Sequence, residues 1–390
     1  MSIIILSACT GRGHNSVMNT LFESFCENGY SDCICFPDYY ESILPSNRLL
    51  SDFYNFLLTN SSTLCEKYVQ FNTLTRPDTN DDIYNLTKKH YFDLFNTPGL
   101  EAIISTATSI NFNLIRALKE KRVYGKVPFY IVVTDPYDPI APGFNVIGAT
   151  RYFCANKLVQ DILVQSGIEY EKIMVTGYPV SKRFLRVLSP VQRDLVISKM
   201  KFDVSRKVIL LNCGSQGSMS SLNLLRGFLE SGINANLIML CGKNKSLYRL
   251  ARIEVKKFSS NNVRIMPFYN SIEELLAIAD VYVTKAGANS FYEALSSRVP
   301  ILIDATDGYL YQERGVIKVM DELNTGMLME SANDFAHLLS VILKSDVQME
   351  IKQRYMKLNI QNGAERITGE ILSEIKAGVN KSVKCEISGR

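Results

Sequence analysis

The chain has three histidines, His14, His90 and His337, too far apart for a local zinc motif, so any histidine chemistry rests on one of them. His14 closes a glycine loop, Gly11-Arg-Gly-His14, directly after an apolar run. An imidazole with an ordinary pKa near 6.5 can take a proton from a hydroxyl at neutral pH. Asp135, in Val133-Thr-Asp-Pro136 at the end of another β-branched run, is a second acid–base candidate, although an Asp before Pro also simply starts a turn. Two further segments suit anions. Cys213-Gly-Ser-Gln-Gly-Ser218 follows a strand pattern and opens a helix, so its backbone N–H groups and helix end could cradle phosphate. It lacks both the G-x-G-x-x-G spacing and a P-loop lysine, which argues against dinucleotide binding and NTP hydrolysis. In Lys285-Ala-Gly-Ala-Asn-Ser-Phe-Tyr-Glu293, Gly287 and Ala288 let an anion approach the backbone where a helix begins at Asn289. A carboxylate at Glu293 would then accept from ribose hydroxyls. The same residues offer a ligand-free reading, since Ser290 and Glu293 have the spacing of a capping box. The nine cysteines show no metal-ligand spacing and read as buried thiols.

These residues need a frame that presents loops from strand ends. Short β-branched runs alternate with amphipathic stretches, the sign of βαβ units and parallel sheets. The first set is Ile3 to Ala8, Asp32 to Phe36, Glu101 to Thr106, Val127 to Thr134 and Tyr152 to Ala155. The second set is Lys207 to Asn212, Asn236 to Cys241, Val263 to Met266, Val281 to Thr284 and Pro300 to Ile303. The expected organisation is an α/β chain with an N-terminal domain over 1–185, carrying an insertion at about 45–95. A C-terminal domain follows over 186–345, and helices with a polar tail over 346–390. With 46% hydrophobic and 21% charged residues the composition is that of a globular protein and excludes a disordered chain. No stretch nears the ~20 apolar residues of a membrane span, and the N-terminus reads as a strand and not as a signal peptide, so cytoplasmic residence is expected. Residues 1–186 hold 17 Lys+Arg against 18 Asp+Glu and the remainder 26 against 21, so the first half offers no nucleic-acid patch and the second is mildly basic.

Several segments occur together in one order: Gly11-Arg-Gly-His14, Val133-Thr-Asp135, Val175-Thr-Gly-Tyr-Pro-Val180, Cys241-Gly-Lys-Asn244, Thr284-Lys-Ala-Gly287 with Glu293-Ala-Leu295, and Gln312-Glu313. In this the chain resembles the monogalactosyldiacylglycerol synthase and processive diacylglycerol glucosyltransferase group, relatives of the GlcNAc transferase that makes the lipid-linked peptidoglycan precursor. The resemblance spans residues 1 to about 330. It implies a GT-B fold, two Rossmann-like doubly wound domains facing a cleft, with the acceptor bound by the first and a nucleotide sugar by the second. It implies that Gly11 and Gly13 form the acceptor loop and that His14 is the general base, with Asp135 orienting it or taking the proton itself. On the donor side Gly214, Gly217 and Ser218 would line the phosphates, and Gly242, Asn244 and Phe268 would surround uracil and ribose. Gly287, Ala288, Asn289 and Ser290 would hold the pyrophosphate, Glu293 the ribose, and Gln312 with Glu313 the sugar hydroxyls. The implied activity is an inverting, metal-independent transfer of a hexose from a UDP-sugar, with no other cofactor, to a diacylglycerol-type lipid. Relatives show a histidine and often a tryptophan shortly after the Thr-Asp pair, whereas Asp135-Pro-Tyr-Asp-Pro-Ile-Ala-Pro142 has neither, which puts the acceptor in question.

Residues 49–71 hold two Tyr, three Phe and five Leu, an aromatic stretch suited either to a membrane interface on the cytoplasmic side or to burial. Other readings of the chain are the same chemistry on a soluble small-molecule acceptor, a UDP-sugar 2-epimerase, or a donor-binding regulatory subunit without activity. An epimerase needs several acidic and histidine residues, and three histidines count against it.

Overall fold

A computed structural model describes residues 2–10, 13–310, 313–358 and 360–388. The chain divides into two compact units, Met1–Ser181 with Gln361–Arg390, and Lys182–Ile360. The first unit runs β1 (Ser2–Leu6), α1 (Gly13–Glu27), β2 (Cys33–Phe36), α2 (Tyr39–Ile43), α3 (Pro45–Asn60), α4 (Ser62–Thr75), α5 (Asp81–Leu94), β3 (Leu100–Ser105), α6 (Asn111–Glu120), β4 (Phe129–Val132), β5 (Arg151–Cys154), α7 (Lys157–Gln165) and β6 (Ile173–Val175). The second runs α8 (Pro190–Lys199), β7 (Lys207–Asn212), α9 (Ser221–Ser231), β8 (Ala235–Leu240), α10 (Lys245–Lys257), β9 (Val263–Met266), α11 (Ile272–Leu276), β10 (Val281–Thr284), α12 (Ala288–Ser296), β11 (Ile301–Asp304), α13 (Arg314–Leu323), β12 (Gly326–Met329), α14 (Phe335–Ile342) and α15 (Ser345–Lys357).

Each sheet has six strands, ordered β2-β1-β3-β4-β5-β6 and β12-β11-β10-β7-β8-β9, with neighbours parallel throughout. Parallel strands covered by helices on both faces carry continuous apolar runs, and Ile3-Ile-Ile-Leu6 and Ile301-Leu-Ile303 are such runs, fully buried. Strand order reverses between β1 and β3 in the first sheet and between β7 and β10 in the second. At such a switch point flanking helices leave to opposite faces, and the loops at the carboxyl ends open a crevice where ligands bind. The loops carrying His14, Gly214 and Gly287 all stem from these four strands.

The expected insertion is present as α3, α4 and α5, between β2 and β3. The C-terminal segment differs from the expectation of one stretch, 346–390, standing apart. Its first helix, α15, belongs to the second unit, and the chain then returns to the first as α16 (Gly363–Ser388), so the expected tail is helical as far as Ser388. The return is secured by chemistry that the sequence order conceals. Ser24 and Thr368 share a hydrogen bond of 2.8 Å, and Glu374 accepts from the Tyr130 hydroxyl at 2.6 Å and from Arg151 Nε at 2.7 Å. Gly177 and Gly363 pack backbone on backbone, and a Cβ on Gly363 would run into the Gly177 carbonyl and one on Gly177 into that of Gln361.

Candidate active site

In the first unit Gly13 opens α1 and His14 is its second residue, while Gly11 lies outside the described residues. His14 Nδ1 is 2.8 Å from the carbonyl oxygen of Thr106, the residue just past β3. A carbonyl only accepts, so Nδ1 carries the hydrogen and Nε2 keeps its lone pair. Thr106 is itself pinned, its N–H donating to the Leu6 carbonyl at 3.0 Å and its hydroxyl to the His14 carbonyl at 3.2 Å. The Thr134 hydroxyl lies 3.3 Å from Nδ1. Burial pushes the imidazole pKa below its ordinary value, against the opposing pull of the Thr106 carbonyl, and so keeps a neutral base at neutral pH.

Asp135 does not orient this ring. Its carboxylate turns instead to the N–H of Ala141, at 2.7 Å, closing its own loop, and burial pushes its pKa up to about 6. The orienting group is the Thr106 carbonyl, a main-chain atom that no motif of side chains can announce. The loop ahead of His14 is fastened from α2 and α3. Buried Glu41 accepts from the Cys9 N–H at 3.0 Å and from the Ser51 hydroxyl at 2.6 Å, and Asn55 donates to the Cys9 carbonyl at 3.2 Å.

In the second unit the 213–218 loop departs from the expected phosphate cradle. The Gly214 N–H donates to Asn212 at 3.1 Å, that of Gly217 to the Gly214 carbonyl at 3.2 Å, and that of Ser218 to the Cys213 carbonyl at 3.0 Å. These donors are satisfied within the loop, and what turns outward is the exposed Ser215-Gln216 tip. Gly217 and Gly242 both have positive φ, and a Cβ on Gly217 would collide with the Cys241 carbonyl and one on Gly242 with that of Gly214. They let the loops after β7 and β8 interlock. Asn244 completes that lock, capping α10 by accepting from the Leu247 N–H at 2.9 Å and donating to the Gly217 carbonyl at 2.9 Å. Past β9, Phe268 presents an exposed ring, with the Lys243 ammonium 5.7 Å from its centroid.

At α12 the capping box does not form. Gly287 is the N-cap and no side chain caps the helix, so Ser290 is its third residue and Glu293 lies nearly a full turn further on than a capping box allows. Among the described residues the Glu293 carboxylate has no hydrogen-bond partner, and burial, with the charge of Glu273, pushes its pKa up to about 7. Beside this helix start Lys285 pairs with Asp304 at 2.9 Å and Asp307 at 3.0 Å, and Asp307 also accepts from the hydroxyls of Ser218 at 2.9 Å and Ser220 at 2.5 Å. Burial opposes the Lys285 charge, but the two carboxylates outweigh it and hold the pKa above its ordinary value. Glu313 accepts from the Leu310 N–H at 2.8 Å and is pushed up by burial, and Gln312 lies outside the described residues. The ends of β7, β10 and β11 thus bring together the Lys285 cation, Asp304, Asp307 and the Ser218 and Ser220 hydroxyls, and β10 leads on into the uncapped start of α12. Lys285, Asp304 and Asp307 were not among the expected site residues. Lys285 stands in a run singled out for its glycine, whereas only the strand order places the two aspartates beside it.

Two doubly wound sheets, one with a histidine at its switch point and the other with an uncapped helix start at its own, are the frame of a nucleotide-sugar glycosyltransferase of GT-B type. Residues 14–180 match the family described as monogalactosyldiacylglycerol (MGDG) synthase, and residues 208–310 match the glycosyltransferase family 28 C-terminal domain. Both units are thus similar to this group of glycosyltransferases. It is 23% identical over 388 residues to a processive diacylglycerol beta-glucosyltransferase of Bacillus licheniformis, covering 97% of each chain. It is also 23% identical over 380 residues to the protein of that name in Bacillus pumilus, covering 95% of this chain and 94% of the relative. Among solved structures, Acinetobacter baumannii MurG shares the fold with a TM-score of 0.63 at 11% identity, covering 96% of this chain and 100% of that one. The UDP-GlcNAc 2-epimerase of Neisseria meningitidis does so with a TM-score of 0.59 at 13% identity, again over 96% and 100%.

Proposed function

We propose that the protein transfers a hexose from a UDP-sugar to the hydroxyl of a diacylglycerol-type lipid, with inversion at the anomeric carbon and without a metal ion. The observation that carries the reading is the tautomer of His14. With Nδ1–H given to Thr106, Nε2 is a neutral acceptor for the proton of an attacking hydroxyl. The bond formed is acceptor oxygen to anomeric carbon, the bond broken is anomeric carbon to β-phosphate oxygen, and the hydroxyl proton passes to Nε2. The charge left on UDP is met by the uncapped start of α12 and by Lys285. The relatives' printed name supports the acceptor and the stereochemistry, since an α-linked nucleotide sugar that yields a β-glucoside requires a single displacement. Phe268 suits stacking on the base, and Glu293, free of any capping duty, suits the ribose hydroxyls.

No helix among the described residues is long and apolar enough to cross a membrane. The insertion instead leaves Leu49, Phe53 and Phe56 of α3 and Phe71 and Leu74 of α4 exposed, with Phe56 at 58%. We read these as a peripheral contact with the cytoplasmic face of the bilayer that holds the acceptor.

Incubation with UDP-glucose, UDP-galactose or UDP-GlcNAc and dispersed diacylglycerol tests the reading. UDP release with a new glycolipid is expected, undiminished by excess chelator. A new sugar nucleotide would indicate an epimerase, and binding of UDP without turnover a regulatory subunit. Loss of activity in chelator, restored by magnesium or manganese, would overturn the metal-free mechanism.

A further inference from the structure

Helix α10 carries five basic residues, Lys245, Arg249, Arg252, Lys256 and Lys257, and one acidic residue, Glu254, an excess that equals the formal net charge of the whole chain, +4. Its inner side is Leu247, Ala251 and Glu254. Glu254 is answered there by Arg226 at 2.9 Å and Lys257 at 3.1 Å. The other four bases fall at i, i+4, i+7 and i+11, one stripe along the exposed side of a helix of 3.6 residues per turn. Arg252 lies over the Tyr248 ring, 5.5 Å from its centroid. Among the described residues Lys245, Arg249 and Lys256 have no carboxylate partner. Beside this stripe Leu250 and Ile253 are 40% and 49% exposed, and Phe258, just past the helix end, is 42% exposed.

Folding alone gives no reason for this pattern. Like charges at i, i+4 repel on an isolated helix, and the exposed apolar side chains beside them gain nothing in water. A nucleic-acid backbone would use the cations but not Leu250, Ile253 and Phe258. A bilayer containing anionic lipid offers both a negative surface and, just beneath it, an apolar layer. We propose that α10 is a docking face of the second unit for an anionic lipid surface, with Lys245, Arg249, Arg252 and Lys256 on the headgroups and Leu250, Ile253 and Phe258 at the acyl boundary. This goes beyond the choice of acceptor, because it concerns the surface to which the enzyme is held and not the molecule it modifies.

The test is sedimentation of the full chain with vesicles of phosphatidylcholine, with or without phosphatidylglycerol, in the absence of diacylglycerol and UDP-sugar. The protein is expected to prefer the anionic vesicles, and salt should erase the preference. Arg249→Gln combined with Lys256→Gln should lower partitioning onto anionic vesicles about 30-fold, from the contribution of two cations near the surface, and leave binding to neutral vesicles unchanged. Leu250→Ser combined with Ile253→Ser should weaken the binding that remains at high salt. The proposal is overturned by equal binding to the two vesicle types or by a Gln pair that partitions like the parent. It is equally overturned if a short DNA duplex competes the protein off anionic vesicles while the Ser pair binds as the parent does, which would make α10 a nucleic-acid face. UDP release measured in neutral detergent with diacylglycerol checks the acceptor reading separately, and there the Gln pair should be as active as the parent.

Discussion

The His14 tautomer is set by an atom that is not a side chain, which suits the ring to the proposed role of base. Because the Thr106 carbonyl fixes the tautomer and burial lowers the pKa, turnover should persist on acidification through the ordinary histidine value near 6.5 and fall only at a lower pH. His14→Ala should cost about 10² to 10⁴-fold in turnover with UDP affinity retained, measured by steady-state kinetics and titration calorimetry. Asp135, pushed up to about 6, would produce an acid limb in the same range. Asp135→Asn therefore decides between them, and an acid limb that disappears in this variant would move the proton to Asp135. Glu293 carries a second prediction. Its folded pKa is raised to about 7, so its contribution to stability is fully present below the unfolded value and is lost as pH rises through 7. Glu293→Gln should match the parent's stability near pH 4 and exceed it by about 3 kcal/mol at pH 8 in denaturant melts. Glu293→Ala should lose about 1.5 to 3 kcal/mol of UDP affinity. Unchanged affinity would leave the carboxylate without a ligand role.

At the scale of elements, the insertion helices serve two ends. Glu41 and Asn55 tie α2 and α3 to the loop that carries His14, while the far side of α3 exposes its aromatic residues. Glu41→Ala would leave the Cys9 N–H buried without an acceptor, for a loss of about 1 to 3 kcal/mol in stability and a lower turnover, with UDP binding unaffected. Phe53→Ser with Phe56→Ser on the exposed side should shift stability by no more than about 0.5 kcal/mol per site. If this side meets the bilayer, the apparent KM for diacylglycerol in vesicles should rise while that for a soluble analogue stays constant. An equal effect on both acceptors would return α3 to a merely structural role.

For the whole molecule, the return of the chain as α16 makes the first unit discontinuous in sequence. Its seam is the Gly177–Gly363 contact, and its anchor is the burial of Ile367 and Ile371. Gly363→Ala puts a methyl group into the Gly177 backbone and should destabilise by about 1 to 3 kcal/mol. Gly369→Ala, in the same helix with nothing within 4 Å of the added Cβ, should stabilise by roughly 0.5 to 1 kcal/mol. Opposite signs of ΔTm for the two variants are expected, and a shared sign would mean that α16 does not dock at this seam.

The sequence by itself determined the α/β class, the two-unit organisation and most strands, because a strand buried on both faces must be a short apolar run between turns, as in Ile3-Ile-Ile-Leu6 and Val281–Thr284. It missed β6 and β12 at the sheet edges, where Ile173–Val175 is only three residues long and Gly326–Met329 begins on a glycine. It also singled out His14, Gly287 and Glu293 as candidates, the first two at helix starts and Glu293 within α12. What only the tertiary structure decided was how groups far apart in the chain share their hydrogen bonds. Thr106, 92 residues from His14, orients its ring in place of Asp135. Asp307 reaches Ser218 and Ser220, and the N–H groups of Gly214, Gly217 and Ser218 are taken up by Asn212, Gly214 and Cys213. Local pattern fixes which side chains lie at a strand's end, whereas the order in which strands pair fixes which ends meet. In a parallel sheet that order is set by non-local packing, which no window along the chain contains.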